Sequence, residues 1–181
     1  MARTPKPLKP TLTLTLLRHA KAARAEPESG DIDRALTNRG RRNADAAGQF
    51  LAAAKLAPDV IVCSSAARTR ETLELLLPYL LPAPKVSYSD GLYLAGPLTL
   101  LKALHDAPKP TSHLMLIGHN PGLHALALDL VAEGPQDRIA ALGRKLPTCG
   151  LVTMTFPLTS WSDVVAGTAT LQAFHTPGEA D

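Results

Sequence analysis

A histidine stands beside an arginine where the first apolar segment of the chain ends. The pair Arg18-His19 follows the run Leu12–Leu17, which has the length and composition of a β-strand. An imidazole can attack phosphorus directly, and a guanidinium presents a planar set of donors that matches phosphate oxygens. The pair therefore indicates a nucleophile beside a phosphate-binding cation, although an Arg-His dipeptide in a loop is usually only solvated surface.

Residues of the same character follow two later predicted strands. Arg68 comes shortly after the apolar run Asp59–Cys63, and His119 comes shortly after the strand His113–Ile117. Ligands of open α/β sheets bind beyond the carboxyl ends of the strands, where the amino termini of the following helices add positive partial charge. If these strands are neighbours, two histidines and two arginines face one crevice, and that set suits a phosphoryl group.

The remaining segments predict alternating strands and helices. Helices are expected from Thr37 to about Lys55, from Ser64 or Ser65 to Pro78, from Gly96-Pro97 to about His105, and from Asn120-Pro121 to about Gly134. Lys85–Tyr88 is a weak strand, and the alternating runs Gly150–Phe156 and Thr168–Phe174 predict an antiparallel pair at one sheet edge. The pattern predicts an α/β fold, a three-layer α/β/α sandwich around a mostly parallel sheet with an antiparallel edge.

Length and composition narrow the class of protein. The 181 residues predict a single domain over 11–176, preceded by a disordered basic tail at 1–10. The net charge of +3 suits an anionic ligand but not a nucleic-acid partner. The two cysteines suggest neither a disulfide framework nor a metal site, and no signal peptide or membrane span is recognisable. We therefore expect a soluble, cytoplasmic protein without a membrane partner.

Four blocks of this sequence, in order, resemble the histidine phosphatase superfamily. They are Leu17–Ala22, Asp33–Gly40, Ser64–Thr72 and Gly118–Gly122. Within the superfamily they are similar to the short SixA-like phosphohistidine phosphatase branch, which has no cap domain. The resemblance extends over most of the predicted domain, from about residue 12 to 131.

The resemblance implies a role for each of the four residues at the crevice. His19 would be the nucleophile and would be transiently phosphorylated. Arg18 and Arg68 would bind the phosphoryl oxygens and stabilise the charge of the transferring group. His119 would donate to a phosphate oxygen, and no cofactor would be needed.

Other polar residues have weaker claims on the site. Lys21 and Arg34 lie either at the rim of the phosphate pocket or on the solvated surface, and Asn120 is a helix cap or a rim residue. A zinc or iron site made of His19, His119 and His124 is an alternative, but no carboxylate-rich ligand set accompanies these histidines.

The sequence lacks an obvious proton donor for a leaving group. No glutamate follows Tyr93, Asp90 suits a turn with Gly91, and Asp31 and Asp33 have no strong claim. Without a general acid an alkoxide leaves poorly, whereas an imidazole or an acyl phosphate leaves readily. We therefore predict a metal-independent phosphatase that acts on phosphohistidine, or on another activated phosphoryl group, in a signalling protein.

Two alternatives stay open at this stage. A small phosphomonoester is a possible substrate, and the pocket could instead belong to a non-catalytic module that only binds phosphate. The short connection between the second and fourth strands favours an open site, which suits a phosphorylated protein better than an enclosed metabolite.

Overall fold

A computed structural model describes residues 11–24 and 30–178, so the tail predicted at 1–10 lies outside the described residues. The strands are β1 (Leu12–Arg18), β2 (Val60–Ser64), β3 (Lys85–Ser89), β4 (His113–Gly118), β5 (Val131–Glu133), β6 (Leu151–Phe156) and β7 (Ala169–His175). The α-helices are α1 (Asn38–Ala53), α2 (Ala67–Leu76), α3 (Pro97–His105), α4 (Gly122–Leu130) and α5 (Gln136–Arg144). Short 3-10 helices lie at Asp31–Asp33, Leu77–Tyr79, Asp90–Leu92 and Trp161–Asp163.

The strands form one seven-stranded sheet in the order β3-β2-β4-β1-β6-β7-β5. β4 is parallel to both β1 and β2, and β3 is parallel to β2. β6 is antiparallel to β1 and to β7. The predicted α/β fold with a mostly parallel sheet is therefore confirmed. Because β2, β4 and β1 are adjacent, their carboxyl ends meet at one edge.

Two hydrophobic clusters, one on each face of the sheet, make up the core. Along β4, Leu114 and Leu116 belong to the cluster that contains residues of α3, α4 and α5, whereas Met115 and Ile117 belong to the cluster that contains residues of α1 and α2. This alternation buries both faces of a central parallel strand, as expected when helices cover the sheet on two sides. The result is the three-layer arrangement that the segment order predicts.

The helix starts differ in one respect from the prediction. Thr37 caps α1 as expected, because its hydroxyl accepts the backbone N–H of Gly40 at 3.0 Å. The expected serine cap of α2 is wrong, since that helix begins at Ala67 after Ala66 and has no side-chain cap. The Ser64 hydroxyl lies within hydrogen-bond distance of the His119 ring instead, at 2.8 Å.

The region after α4 also differs from the prediction. The helix expected to run to about Gly134 ends at Leu130, and the chain continues into β5 and α5, which the sequence pattern does not reveal. β5 has three residues, too few for an alternation to be visible, and Leu142 is the one fully buried residue of α5. β5 pairs in parallel with β7, so it lies outside the predicted antiparallel pair at this edge.

Within the described part of the chain, no helix combines the length and the hydrophobicity needed to cross a membrane.

Candidate active site

The predicted nucleophile, His19, directly follows β1 and is 9% exposed. Its Nδ1 lies 2.8 Å from the carbonyl oxygen of Ala20. A carbonyl only accepts, so Nδ1 carries the proton and Nε2 keeps its lone pair. Burial lowers the pKa of His19 to about 4, and the nearby Arg68 and Arg18 add to that lowering. The imidazole is therefore neutral at pH 7, and its tautomer leaves the lone pair on Nε2.

The second histidine, His119, directly follows β4 and is 2% exposed. Its ring centroid lies 5.3 Å from that of His19. Its Nε2 is 2.8 Å from the Ser64 hydroxyl, while its Nδ1 is buried and has no partner among the described residues. Burial, together with the charge of Arg68, lowers the pKa of His119 to about 3. Both histidines are thus neutral, and their rings lie next to each other.

Arg18 is held by a backbone carbonyl that is distant from it in the sequence. Its Nη1 donates to the carbonyl oxygen of Leu146 at 3.0 Å, and its Nε is buried without a partner in the described residues. Burial and the charge of Arg68 both lower the pKa of Arg18, although a guanidinium stays ionised. Donor capacity that is buried and unused in this way is available to an anion.

Arg68, in the first turn of α2, is 3% exposed and is oriented by Asp31. Its Nη1 donates to the Asp31 carbonyl at 2.6 Å, and its Nη2 donates to Asp31 Oδ2 at 3.0 Å. The same carboxylate accepts from the Tyr93 hydroxyl at 2.7 Å and from Arg34 Nη1 at 2.7 Å. These hydrogen bonds hold the pKa of Asp31 well below its usual range. Asp31 is therefore ionised at neutral pH and cannot donate a proton there.

Asn120 is not a helix cap, contrary to one of the two expectations for it. Position 121 precedes the first residue of α4, and no side chain caps that helix. Asn120 Nδ2 instead donates to the Leu146 carbonyl at 2.9 Å, so this one oxygen accepts from both Asn120 and Arg18. The Oδ1 atom of Asn120 is buried and has no partner among the residues described.

These groups surround a cavity of about 350 Å³ at the carboxyl edge of the sheet. All seven residues predicted for the site line it, namely Arg18, His19, Lys21, Arg34, Arg68, His119 and Asn120. Asp31, Leu94 and Thr148 also contribute to the lining. Four cations therefore surround one carboxylate and two neutral imidazoles, an arrangement that favours binding of a small anion.

Comparison with known proteins agrees with this geometry. A family model described as histidine phosphatase superfamily, branch 1, matches residues 14–92. An uncharacterized protein of Mycobacterium tuberculosis is 35% identical over 163 residues, which are 89% of this chain and 99% of that protein. A solved structure of a candidate phosphohistidine phosphatase SixA from Nakamurella multipartitia is 33% identical, with a TM-score of 0.81 over 93% of this chain and 97% of the other.

The chain belongs to the histidine phosphatase superfamily. A candidate SixA from Agrobacterium tumefaciens, 31% identical with a TM-score of 0.77 over 92% of this chain and 98% of the other, supports the SixA-like branch. The protein is therefore a phosphatase with the phosphoglycerate mutase-like fold of that superfamily, as the resemblance of the four sequence blocks predicts.

Sequence reasoning missed three groups that contact the predicted residues of this phosphatase or line the same cavity. Tyr93 donates to Asp31, and its ring packs edge-on against His119 with centroids 5.5 Å apart. The Leu146 carbonyl leaves no trace in a side-chain pattern, and it follows the unpredicted α5. Leu94 lines the cavity at a φ of 50°, a left-handed conformation that is strained for a leucine.

The alternative of a metal site made of His19, His119 and His124 has no matching cluster in residues 11–24 and 30–178. No group of three histidine, cysteine or acidic side chains within that part could hold a metal ion. The ring of His124 lies elsewhere, with Nε2 donating to the Leu142 carbonyl at 2.6 Å.

Proposed function

We propose that this protein hydrolyses phosphohistidine in a phosphorylated protein, without a metal ion, through a phosphohistidine intermediate on its own His19. The observation that carries the proposal is the combination of a neutral His19, with an unprotonated Nε2, and an ionised Asp31. Asp31 is the one carboxylate among the described residues that line the cavity. Among its described residues the cavity lining thus offers a nucleophile for phosphorus but no protonated carboxyl group for an alkoxide.

In the first step, Nε2 of His19 attacks the phosphorus and forms a new N–P bond. The bond between phosphorus and the substrate imidazole breaks, and the electron pair of that bond goes to the imidazole nitrogen. When the other ring nitrogen of the substrate phosphohistidine carries a proton, the leaving group is a neutral imidazole, so the enzyme need not supply a proton. In the second step water attacks the phosphorus of phospho-His19, releasing inorganic phosphate and regenerating the free imidazole.

The cations of the site stabilise the transferring group. The guanidinium groups of Arg18 and Arg68 lie at the cavity wall, and each is fixed by a carbonyl oxygen before substrate arrives. Preorganised donors of this kind stabilise developing phosphoryl charge without reorganisation, and they are commonly the largest contribution to catalysis of phosphoryl transfer. Lys21 and Arg34 add positive potential at the rim.

The proposal is tested by hydrolysis of phosphoramidate and of ethyl phosphate, with and without chelator, by the wild type and by His19→Ala. We expect turnover of phosphoramidate that chelator does not reduce, that His19→Ala abolishes, and that exceeds turnover of ethyl phosphate at least about a hundredfold, as for a missing general acid. His105→Ala, at the end of α3 and outside the cavity lining, is the matched control.

The two alternative functions, a small-molecule phosphatase and a phosphate-binding module, predict different results. Comparable turnover of ethyl phosphate would mean that a proton donor exists, and that a small phosphomonoester is the substrate. Phosphate binding without turnover of either compound would indicate a non-catalytic phosphate-binding module.

A further inference from the structure

A second, larger cavity adjoins the candidate active site. Its volume is about 700 Å³, about twice that of the catalytic cavity at about 350 Å³. The two cavities share Lys21 and Thr148 in their linings. We call the larger cavity the basic groove, and its charged lining residues are Lys21, Arg39, Asp137, Arg138, Arg144 and Lys145.

The cations of the basic groove come from separate parts of the chain. Lys21 follows His19, Arg39 lies in the first turn of α1, Arg138 and Arg144 lie in α5, and Lys145 directly follows that helix. The fold therefore gathers five positive charges around one carboxylate, in a protein whose total net charge is +3. Such a cluster repels itself, and an anionic ligand relieves that repulsion.

Within residues 11–24 and 30–178, no carboxylate forms an ion pair with a groove cation. Among the described residues, the cations that form ion pairs are Arg34, Arg41, Arg68 and Lys102. Arg41 is informative because it lies two residues beyond Arg39 on α1 and binds Glu71 at 2.5 Å. Arg138 donates to a backbone carbonyl, that of Gln172, at 2.7 Å. The groove therefore keeps its positive charge available at the surface.

We propose that the basic groove binds carboxylate side chains of an acidic segment in the protein that carries the phosphohistidine. This inference rests on the proposed function, because it takes the catalytic cavity to hold the phosphoryl group of the same substrate. A small ligand is normally enclosed by its pocket, with most of its surface buried. The groove cations are instead exposed side chains spread over a wide opening, like the charged rim of a protein–protein contact.

The test uses two phosphohistidine peptides of equal length, in which the residues that flank the phosphohistidine are either glutamates or glutamines. We would measure kcat/KM for both peptides with the wild type and with the double variant Arg39→Glu/Arg144→Glu. The matched control is Lys85→Glu/Lys109→Glu, which makes the same change in charge. Both control residues are exposed. Lys85 is the first residue of β3 and Lys109 lies in the segment that precedes β4, at the opposite end of the sheet from the site.

We expect the wild type to prefer the glutamate peptide by at least about tenfold at low salt, a preference that decreases as salt screens the charges. The Arg39→Glu/Arg144→Glu variant should lose this preference but retain turnover of phosphoramidate, which is too small to reach the groove. Equal kcat/KM for the two peptides, or the same loss in the Lys85→Glu/Lys109→Glu control, would overturn the proposal. A further outcome is that pyrophosphate inhibits the Arg39→Glu/Arg144→Glu variant less than the wild type while kcat/KM is equal for the two peptides. That result would assign the groove to a small polyanion and would also overturn the proposal.

A binding measurement separates failure of this inference from failure of the proposed function. Fluorescence anisotropy of the labelled, unphosphorylated glutamate peptide reports on the groove even if no phosphohistidine is hydrolysed. Tighter binding of the glutamate peptide than of the glutamine peptide, lost in Arg39→Glu/Arg144→Glu, would support the groove alone. Equal binding of both peptides, with normal hydrolysis, would reject the groove and leave the proposed function intact.

Discussion

Both terminal nitrogens of Arg68 are bound by a single residue, Asp31. Nη1 donates to the backbone carbonyl and Nη2 to the carboxylate. The carboxylate therefore both orients the guanidinium proposed to bind phosphate and places a negative charge at the wall of the proposed phosphate site. These two effects act in opposite directions on an anionic substrate, so they can be separated by mutation.

Asp31→Asn should reduce kcat and tighten phosphate binding. The amide removes the repulsion between carboxylate and phosphate, so we expect the inhibition constant of inorganic phosphate to fall several-fold. It also weakens the orientation of Arg68, and kcat for phosphoramidate should fall about tenfold, less than for loss of a whole charge-stabilising donor. Tyr93→Phe is the control, since it removes one hydrogen bond from the same carboxylate and keeps the charge. Unchanged kcat in Asp31→Asn would show that the backbone contact alone positions Arg68.

The buried histidines should make the protein less stable in mild acid. The pKa of His119 is lowered to about 3, and that of His19 to about 4, from about 6.5 in the unfolded chain. Between pH 6.5 and about 4 the unfolded state therefore binds protons that the native state does not, and stability falls as pH decreases. Each histidine should cost about 2 kcal/mol at pH 5 relative to pH 7.

Urea denaturation of the wild type and of His119→Asn at pH 7 and pH 5 measures this effect. The variant lacks one of the two titrating groups, so its free energy of unfolding should fall by about 2 kcal/mol less between the two pH values. An identical fall in both proteins would mean that His119 is protonated in the native state near its ordinary pKa.

Two helical glycines differ in the space around them, so their substitution by alanine should have opposite effects on stability. A Cβ at Gly122 would overlap the carbonyl oxygen of Ala95, so Gly122→Ala should destabilise the protein by about 3 kcal/mol or more and disturb His119. Gly143, in α5, has open space at its Cβ position, so Gly143→Ala should stabilise by about 0.5–1 kcal/mol through helix propensity. Thermal unfolding of both variants checks the pair, and similar melting temperatures would contradict it.

The sequence predicts the groups proposed to carry out the chemistry better than the groups that hold them in place. His19 and His119 each directly follow a long apolar strand, so their convergence follows from the order of parallel strands alone. The Leu146 carbonyl that binds Arg18 and Asn120 is a backbone atom, and no residue type marks it. It also follows α5, whose one fully buried residue gives too weak a periodicity for detection.

Ser64 illustrates a different kind of ambiguity. A serine between a strand and a helix is a normal helix cap, and local sequence favours that assignment. Its actual partner, the His119 ring, lies 55 residues away in the chain and is brought close by the pairing of β2 with β4. Contacts that depend on strand order in this way are visible only after the sheet has been assembled.

The neighbouring residues Ser64 and Ser65 provide a matched pair for the last prediction. The Ser64 hydroxyl lies 2.8 Å from His119 Nε2, whereas the buried Ser65 hydroxyl has no partner among the described residues. Ser64→Ala leaves a buried ring nitrogen unsatisfied, so it should cost about 1–3 kcal/mol of stability. It should also lower kcat for phosphoramidate several-fold, because His119 loses the contact that orients it.

Ser65→Ala should leave kcat unchanged and have little effect on stability, since it removes a polar atom that forms no hydrogen bond in the described structure. Urea denaturation and steady-state kinetics on both variants measure the two effects side by side. Equal effects of the two substitutions would mean that His119 is oriented by the packing of Tyr93 against its ring rather than by Ser64. In that case Tyr93→Leu, which removes the edge-on aromatic contact, should reduce kcat where Ser64→Ala does not.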